Sequence, residues 1–369
     1  MRRSLGGSTL RSSLLALLVA ISAGVVLLVI GSDTPGQALM AFFVRPFANP
    51  YYLGNMMSSL SYLLIAALGV VVAFQGGFYN LGGEGQIMAG AVVGTVVALA
   101  IPDAPALVGK LVVVISGAAV GAVMAGLCGV FRHVWKTPEI ITTFLLSAAA
   151  LQVADYLISG PLDDPERNIM ATREIAQRFW LNRLLAPSEL STSIVVALLL
   201  ALAVAGLLFY TVRGYELRVT GRNERFAEYV GISLAPTTIG SMALSGALHG
   251  MTGALIVMGT HHAAVGGLSA GIGWNAIAVA LIARLNPLGA IPAAAVFSYL
   301  EAGAKASMLH TRFTFELGTI VQGVIFLLVT VSYLGRRGLL TRIVARIAGS
   351  RRVAGGVLPR GRRPGETPQ

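Results

Sequence analysis

The stretch GGFYNLGGEGQIMAGAVVG, residues 76–94, combines seven glycines with one carboxylate and two amide side chains, and long apolar runs flank it. The polar side chains are Asn80, Glu84 and Gln86. A charge at the centre of a bilayer costs about 3 kcal/mol even on the lenient insertion scale, so Glu84 is not expected to face lipid. Glu84 either accepts hydrogen bonds from backbone N–H groups freed by a broken helix or lines a solute path. The sequence leaves both roles open.

Other residues that could do chemistry are few or poorly spaced. His261 and His262 are adjacent, so on a helix they point about 100° apart and make a poor metal pair. Cys128 is the only cysteine, which excludes a disulfide within the chain. The phosphate-binding pattern G-x-x-x-x-G-K-[ST] is absent, because the only Gly-Lys pair, Gly109–Lys110, is followed by Leu. We therefore expect no enzyme activity, no metal site and no cofactor.

Composition indicates an all-α polytopic membrane protein. Apolar residues make up 55% of the 369 residues, charged residues 12%, and the mean hydropathy is +0.77. Soluble domains carry roughly twice that share of charge. The apolar runs are continuous rather than alternating, which excludes a membrane barrel. The net charge of +11 is scattered over short loops and the C-terminal tail, so it indicates membrane orientation rather than nucleic-acid binding.

About ten apolar runs could cross the membrane, where a span needs about 17 to 25 residues. The first is interpreted as an uncleaved span rather than a signal peptide. With the N-terminus inside, 19 of the 27 Lys and Arg residues lie on the cytoplasmic side, so both termini are expected there. The candidates are residues 14–30, 53–74, 85–101, 107–130, 140–158, 192–212, 238–259, 272–284, 288–303 and 315–335.

Ten spans would divide into two halves of five. Because each half has an odd number of spans, the second half starts on the opposite side of the membrane, and the halves are inverted repeats. In such folds, glycine-interrupted segments at corresponding positions of the two halves mark the binding site. The two junctions are QGGFYNLGGEGQ (75–86) and VGGLSAGIGWN (265–275). We therefore expect broken helices near the centre. Trp274 and Asn275 would join the three polar residues of the first junction on a solute path.

Two loops between spans are long enough to have roles of their own. The outer loop, about 160–191, is mixed in charge and is expected to form a small cap or a docking surface. The cytoplasmic loop, about 213–237, predicts a short helix that ends at Gly231, with Phe226, Tyr229 and Val230 on one apolar face. That face would contact a partner protein. A helix lying on the lipid surface is the alternative.

Three stretches resemble permease subunits of ABC importers of the branched-chain amino acid, ribose and nucleoside group. FYNLGGEGQIMAGA (78–91) resembles the Gly-Gly-Glu-Gly-Gln signature of the branch that works with basic-membrane-protein-type solute-binding lipoproteins, and 273–297 resembles the late paired spans. The loop matches the coupling pattern of the group, although Glu228 stands where a small residue is common. The resemblance implies Gly221, Asn223, Ala227 and Gly231 as coupling residues, and Phe226 joins them as the aromatic best able to anchor the helix in a partner.

The resemblance implies a transport subunit of a bacterial inner membrane. Residues 1–335 would be the permease domain and 336–369 a basic cytoplasmic tail. The implied partners are ABC ATPase subunits, a second permease subunit, identical or not, an extracytoplasmic solute-binding lipoprotein and membrane lipid, with no nucleic acid. The implied solute is a nucleoside, with riboflavin or a simple sugar as alternatives. A proton-coupled secondary transporter that uses Glu84 and Asp155 as a relay is the alternative of another class.

Overall fold

The computed structural model describes residues 32–308 and, before them, residues 22, 25, 26 and 28–30. The described part is built from α-helices joined by short connections. In chain order the helices are α1 (Pro35–Phe43), α2 (Pro50–Gln75), α3 (Gly83–Ala100), α4 (Ala106–Trp135), α5 (Glu139–Ser159), α6 (Ser193–Tyr210), α7 (Val212–Thr220), α8 (Glu224–Tyr229), α9 (Leu234–Ile256), α10 (Ile272–Ile282) and α11 (Ala290–Ser307).

Six of the described helices are long and apolar enough to cross a membrane: α2 to α6, and α9 with the π-helical turn Val257–His261 that extends it. Eight of the ten predicted spans coincide with helices of the structure. Helix α10 is too short for an independent span, and α11 is less apolar. The candidate 315–335 and the tail 336–369 lie outside the described residues, as does most of 14–30. The count of ten spans in two inverted halves therefore stays a prediction.

The interior of the bundle is formed by α2, α3 and α9, whereas α4, α5 and α6 turn most of their surface outward. Helices α4 and α9 approach each other closely through glycines. A Cβ atom at Gly250 would overlap the carbonyl oxygen of Gly117, and one at Gly246 would overlap that of Gly121. Small residues allow membrane helices to pack backbone against backbone, where dispersion replaces the missing hydrophobic drive. This contact holds the centre of the bundle.

The predicted outer loop is an irregular segment between α5 and α6, and it is fastened to the end of α9. Leu181 N–H donates to the carbonyl of Met258, and Ile175 N–H donates to that of His262. The Trp180 ring stacks on the His262 ring at 3.7 Å between centroids. Burial, and secondarily the charge of Arg183, lowers the pKa of His262, so this imidazole is neutral at physiological pH. The loop thus forms a fixed cap over the break that follows α9.

The close packing of α4 on α9 yields a prediction about two glycines of one helix. Gly250→Ala should lower the free energy of unfolding by about 1–3 kcal/mol, because its methyl group has no space beside the backbone of α4. Gly240→Ala is the matched control, since a Cβ there meets nothing within 4 Å. Thermal unfolding in detergent measures both. Equal midpoints for the two variants would contradict the packing argument.

Candidate functional site

The two glycine-rich junctions meet inside the bundle. A Cβ at Gly273 would overlap the backbone nitrogen of Glu84, and one at Gly83 would lie 3.1 Å from the Cα of Gly273. Helices α3 and α10 therefore begin side by side. The first junction leads from Gln75 to Gly83, and α10 returns alongside it, since the Gln75 amide donates to the carbonyl of Leu285 just beyond α10. Only glycine permits this approach of the two backbones.

The carboxylate of Glu84 bridges the two broken helices. Its Oε1 atom accepts from the N–H of Gly273 at 2.7 Å and from that of Trp274 at 3.3 Å. These N–H groups belong to the first turn of α10, where no intrahelical acceptor exists. Glu84 itself lies in the first turn of α3, so its charge is stabilised by the positive ends of two helix dipoles. This is the contact that the bracing role of Glu84 requires.

Asn80 and Gln86 form a reciprocal pair of amides beneath that contact. Each donates to the other, at 2.9 and 3.0 Å, and both side chains are 1% exposed. The Asn80 oxygen also accepts from Gly82 N–H, and its nitrogen also donates to the Ser245 hydroxyl. The His249 ring bonds to the Gln86 oxygen at 2.9 Å. The polar atoms of Asn80 are thus all engaged within the protein, which gives this residue a structural role.

One face of α5 supports the first junction along its length. The supporting side chains are spaced four residues apart, at Glu139, Thr143 and Ser147. Each accepts a hydrogen bond from a backbone N–H of the junction or of the first turn of α3. The donors, in order, are Tyr79 at 3.3 Å, Leu81 at 3.1 Å and Gly85 at 2.8 Å.

The spacing of these bonds follows from backbone geometry. From Tyr79 to Leu81 an extended chain advances about 6.6 Å. Four residues of an α-helix advance about 6 Å, so successive acceptors on α5 meet successive donors of the junction. The sequence interpretation missed this stripe. Its signal is present in EIITTFLLS (139–147), where three polar residues recur every four positions within an apolar span.

The opposite face of α5 carries exposed residues next to Trp274. Phe144 is 47% exposed and Trp274 44% exposed, with their ring centroids 6.3 Å apart. Gln152 is exposed and Asp155 half-buried, and both lie within about 80° of Phe144 around the helix. Of the five residues expected on a solute path, Trp274 and, in part, Asn275 reach the surface of this chain. The other three are buried.

The loop that the sequence predicts to be cytoplasmic, about 213–237, forms two short helices, α7 and α8, rather than one. Asn223 caps α8 by accepting from Phe226 N–H at 3.1 Å, and Gly231 follows with φ +85°, a conformation that favours glycine. Phe226 is 54% exposed and Tyr229 88% exposed. Ala227, by contrast, is fully buried within the chain. The resemblance implies Ala227 as a coupling residue, but its methyl group faces inward and so does not offer a surface to a partner.

Gly221, between α7 and α8, rests directly on the end of α2. A Cβ at Gly221 would overlap the carbonyl oxygen of Gln75 and lie 2.8 Å from the carbonyl carbon of Gly76. Gly77 opposite it has φ +79°, another position that favours glycine. The loop that was expected to contact a partner thus touches the first residues of the broken junction.

Comparison with known proteins places this architecture in a family. Residues 52–330 match the family described as branched-chain amino acid transport system / permease component. The chain belongs to this permease family. Relatives of this permease are named as permease proteins of ABC transporters, which implies an ATPase and a binding protein as partners.

Three relatives illustrate the range. The permease is 31% identical over 322 residues to the probable riboflavin import permease RfuC of Treponema pallidum, covering 87% of this chain and 85% of the relative. It is 30% identical over 323 residues to the guanosine ABC transporter permease NupP of Bacillus subtilis, covering 87% of this chain and 92% of that relative. It is 27% identical over 330 residues to the nucleoside ABC transporter permease NupB of Lactococcus lactis, covering 87% of this chain and 90% of that relative.

The position of Glu84 in the permease yields a prediction. Glu84→Gln keeps the shape and one acceptor oxygen but removes the charge between two helix N-termini. We expect a loss of stability of about 1 kcal/mol and an unchanged solute preference, because hydrogen bonds to a charged acceptor are worth more than neutral ones. Thermal unfolding and uptake competition measure the two effects.

Glu228→Gln is the matched control, since it removes a carboxylate charge on α8 rather than at the start of α3 or α10. Normal stability together with an altered solute preference in Glu84→Gln would show that the carboxylate contacts solute instead.

Proposed function

We propose that this permease forms, together with a second permease subunit, the membrane path of an ATP-driven importer for a nucleoside. The observation that carries the proposal is the exposed Trp274–Phe144 pair at the meeting point of two broken helices. A nucleoside offers a flat heteroaromatic base, which stacks on aromatic rings, and a sugar that needs amide-type partners. Asn275 lies beside Trp274 and supplies such an amide.

The path follows the exposed face of α5. That face carries Phe144, Gln152 and Asp155 within a membrane span. Polar side chains turned toward lipid are unfavourable, so a face with an amide and a carboxylate favours contact with a watery path or a second subunit. Because Asn80, Glu84 and Gln86 lie behind this face, we assign them the role of holding the path wall rather than of binding solute.

The relatives support the choice of solute class. The guanosine permease and the nucleoside permease match this chain over 87% of its length, as does the probable riboflavin permease. Riboflavin also joins a flat heteroaromatic ring to a polyol chain, so the same aromatic pair suits it, and it is the second candidate. A simple sugar lacks the ring and is less well matched by Trp274 and Phe144.

The partners follow from the two loops. The exposed apolar face of α8 is the docking site for the ATPase, and the capping loop 160–191 is the docking site for a solute-binding lipoprotein. The permease would lie in the bacterial inner membrane with both termini in the cytoplasm. A proton-coupled mechanism through Glu84 and Asp155 is disfavoured, since Glu84 is engaged with the backbone of α10 and the family is ATP-driven.

The role of Trp274 is tested by substitution. In liposomes holding the complete transporter, Trp274→Ala should reduce guanosine uptake at least about fivefold, since stacking of a base on an aromatic ring is worth about 1–3 kcal/mol. Trp274→Phe should keep most uptake, because it preserves the aromatic face. Trp135→Ala, at the exposed end of α4, is the matched control.

Uptake of radiolabelled guanosine, riboflavin and glucose by the same vesicles ranks the solutes. Selective uptake of riboflavin would replace the nucleoside by the second candidate. Unchanged guanosine uptake by Trp274→Ala would remove this residue from the path.

The role of α8 is tested through the ATPase. Phe226→Ala should weaken copurification of the ATPase and abolish solute-stimulated ATP hydrolysis, because an anchoring aromatic at an interface is worth about 2 kcal/mol or more. Tyr210→Ala, an exposed aromatic at the end of α6, should leave both unchanged. Full copurification and full stimulation with Phe226→Ala would mean that α8 lies on lipid.

A further inference from the structure

A continuous series of polar contacts connects the coupling helix α8 with the broken junction. Glu224, in the first turn of α8, has its Oε2 atom 3.5 Å from Nη2 of Arg132. Nε of Arg132 lies 3.4 Å from Oε2 of Glu139. The other oxygen of Glu139 accepts the backbone N–H of Tyr79 at 3.3 Å. Three links therefore separate the surface of α8 from the backbone of the first junction.

We propose that Arg132 and Glu139 are positioning residues that transmit movement of α8 to the junction, and so couple ATP hydrolysis to the solute path. The proposal rests on the proposed function, because it assigns a route by which the ATPase acts. A partner can drive the permease only through an element whose contacts differ between two states of the transporter. Arg132 is suited to this, since its one guanidinium contacts both the exposed carboxylate of Glu224 and the buried carboxylate of Glu139.

The burial of the three side chains sets the direction of the transmission. The side chain of Glu139 is 8% exposed, that of Arg132 31% and that of Glu224 44%. Removing the partner of a buried charge is costly, so Glu139 must follow Arg132 rather than remain alone. Glu224 is the most exposed of the three, so an approaching protein can displace its carboxylate from Arg132 at little cost in free energy. Displacement at the surface is thus converted into displacement of a buried carboxylate.

The residue types fit this role. Arg132 contacts the two carboxylates through different nitrogens of one planar fork, a geometry that a single ammonium does not reproduce. Glu139 uses one oxygen for Arg132 and the other for Tyr79 N–H, so a shift of the carboxylate moves the junction backbone. Arg132 lies in the last turn of α4 and Glu139 begins α5, so both side chains flank the short connection between these helices.

The contact of Gly221 with the end of α2 supplies the fixed point. Gly221 lies two residues before the cap of α8 and is packed against the backbone of Gln75 and Gly76. Because there is no space between these backbones, α8 can tilt about Gly221 but cannot slide over α2. A tilt moves Glu224, on the far side of Asn223, relative to Arg132.

The test uses Arg132→Gln, Glu224→Gln and the double variant in the complete transporter. Solute-stimulated ATP hydrolysis should fall at least about fivefold in each, which is the lower range for coupling between sites. The double variant should be no worse than Arg132→Gln, since both interrupt one route. Basal hydrolysis and copurification of the ATPase should persist in Arg132→Gln, whose side chain lies behind α8. Arg132→Lys should recover part of the stimulation.

Hydrogen–deuterium exchange on the isolated permease gives a readout that needs no solute. Exchange of the peptide that contains residues 76–82 should quicken in Arg132→Gln and, to a smaller extent, in Glu224→Gln. Lys305→Gln breaks a surface ion pair with Glu301 on α11 and is the matched control. It should alter neither exchange in this peptide nor stimulation.

Full stimulation in Arg132→Gln with the transporter assembled would overturn the proposal. If Arg132→Gln does not assemble, the proposal is tested with Glu224→Gln. Unchanged hydrogen–deuterium exchange of residues 76–82 in Glu224→Gln would overturn the proposal equally. Failure of wild-type vesicles to take up guanosine would instead refute the proposed solute. That result leaves the relay standing, because its two readouts depend on the loaded binding protein and on backbone exchange.

Discussion

The structure depends on the supply of hydrogen-bond acceptors to backbone N–H groups at two interrupted helices. Within a lipid bilayer an unpaired N–H costs several kcal/mol, so non-helical backbone persists there only where protein or water satisfies it. The first junction obtains its acceptors from Glu139, Thr143 and Ser147 on α5 and from Asn80 within the junction itself. At the second junction Glu84 accepts the N–H groups of Gly273 and Trp274, and backbone carbonyls accept others. Without these side chains α3 and α10 could not begin inside the bundle.

This constraint explains why several polar residues at the centre are bonded within the chain. Oε1 of Glu84 accepts two backbone N–H groups, and the amides of Asn80 and Gln86 donate to each other. Their charge and polarity stabilise a wall of fixed shape, and the surface of that wall is left to Trp274 and to the outward face of α5. Helix α5 therefore has two faces with different tasks. One binds the junction, and the other is turned away from the bundle, where a second subunit can cover it.

The sequence predicts the interruptions well, because glycines and polar residues within apolar runs are a local pattern, and the spans 53–74 to 288–303 coincide with helices. The sequence also predicts both ends of α8. Asn223 caps its start and Gly231 follows its end, and both roles depend on neighbouring residues alone. The sequence does not predict which distant side chain accepts a hydrogen bond from which backbone N–H group. The bond from Glu84 to Gly273 joins residues 189 positions apart, and the inward orientation of Ala227 depends on packing across the chain. Such pairings are determined by the tertiary fold, so a single sequence leaves several partners equally open.

The arrangement of the junction also bears on how it can move. Its N–H groups at Tyr79 and Leu81, and that of Gly85 at the start of α3, are all bonded to one rigid helix at matched intervals. A shift of α5 by a fraction of an ångström keeps all three bonds, whereas a slip of the junction along α5 would break them together. Intermediate positions leave buried donors unpaired and are therefore unfavourable. The junction is consequently expected to move with α5 as one piece. In the proposed relay, Glu139 at the start of α5 is the point at which a movement of Arg132 reaches that piece.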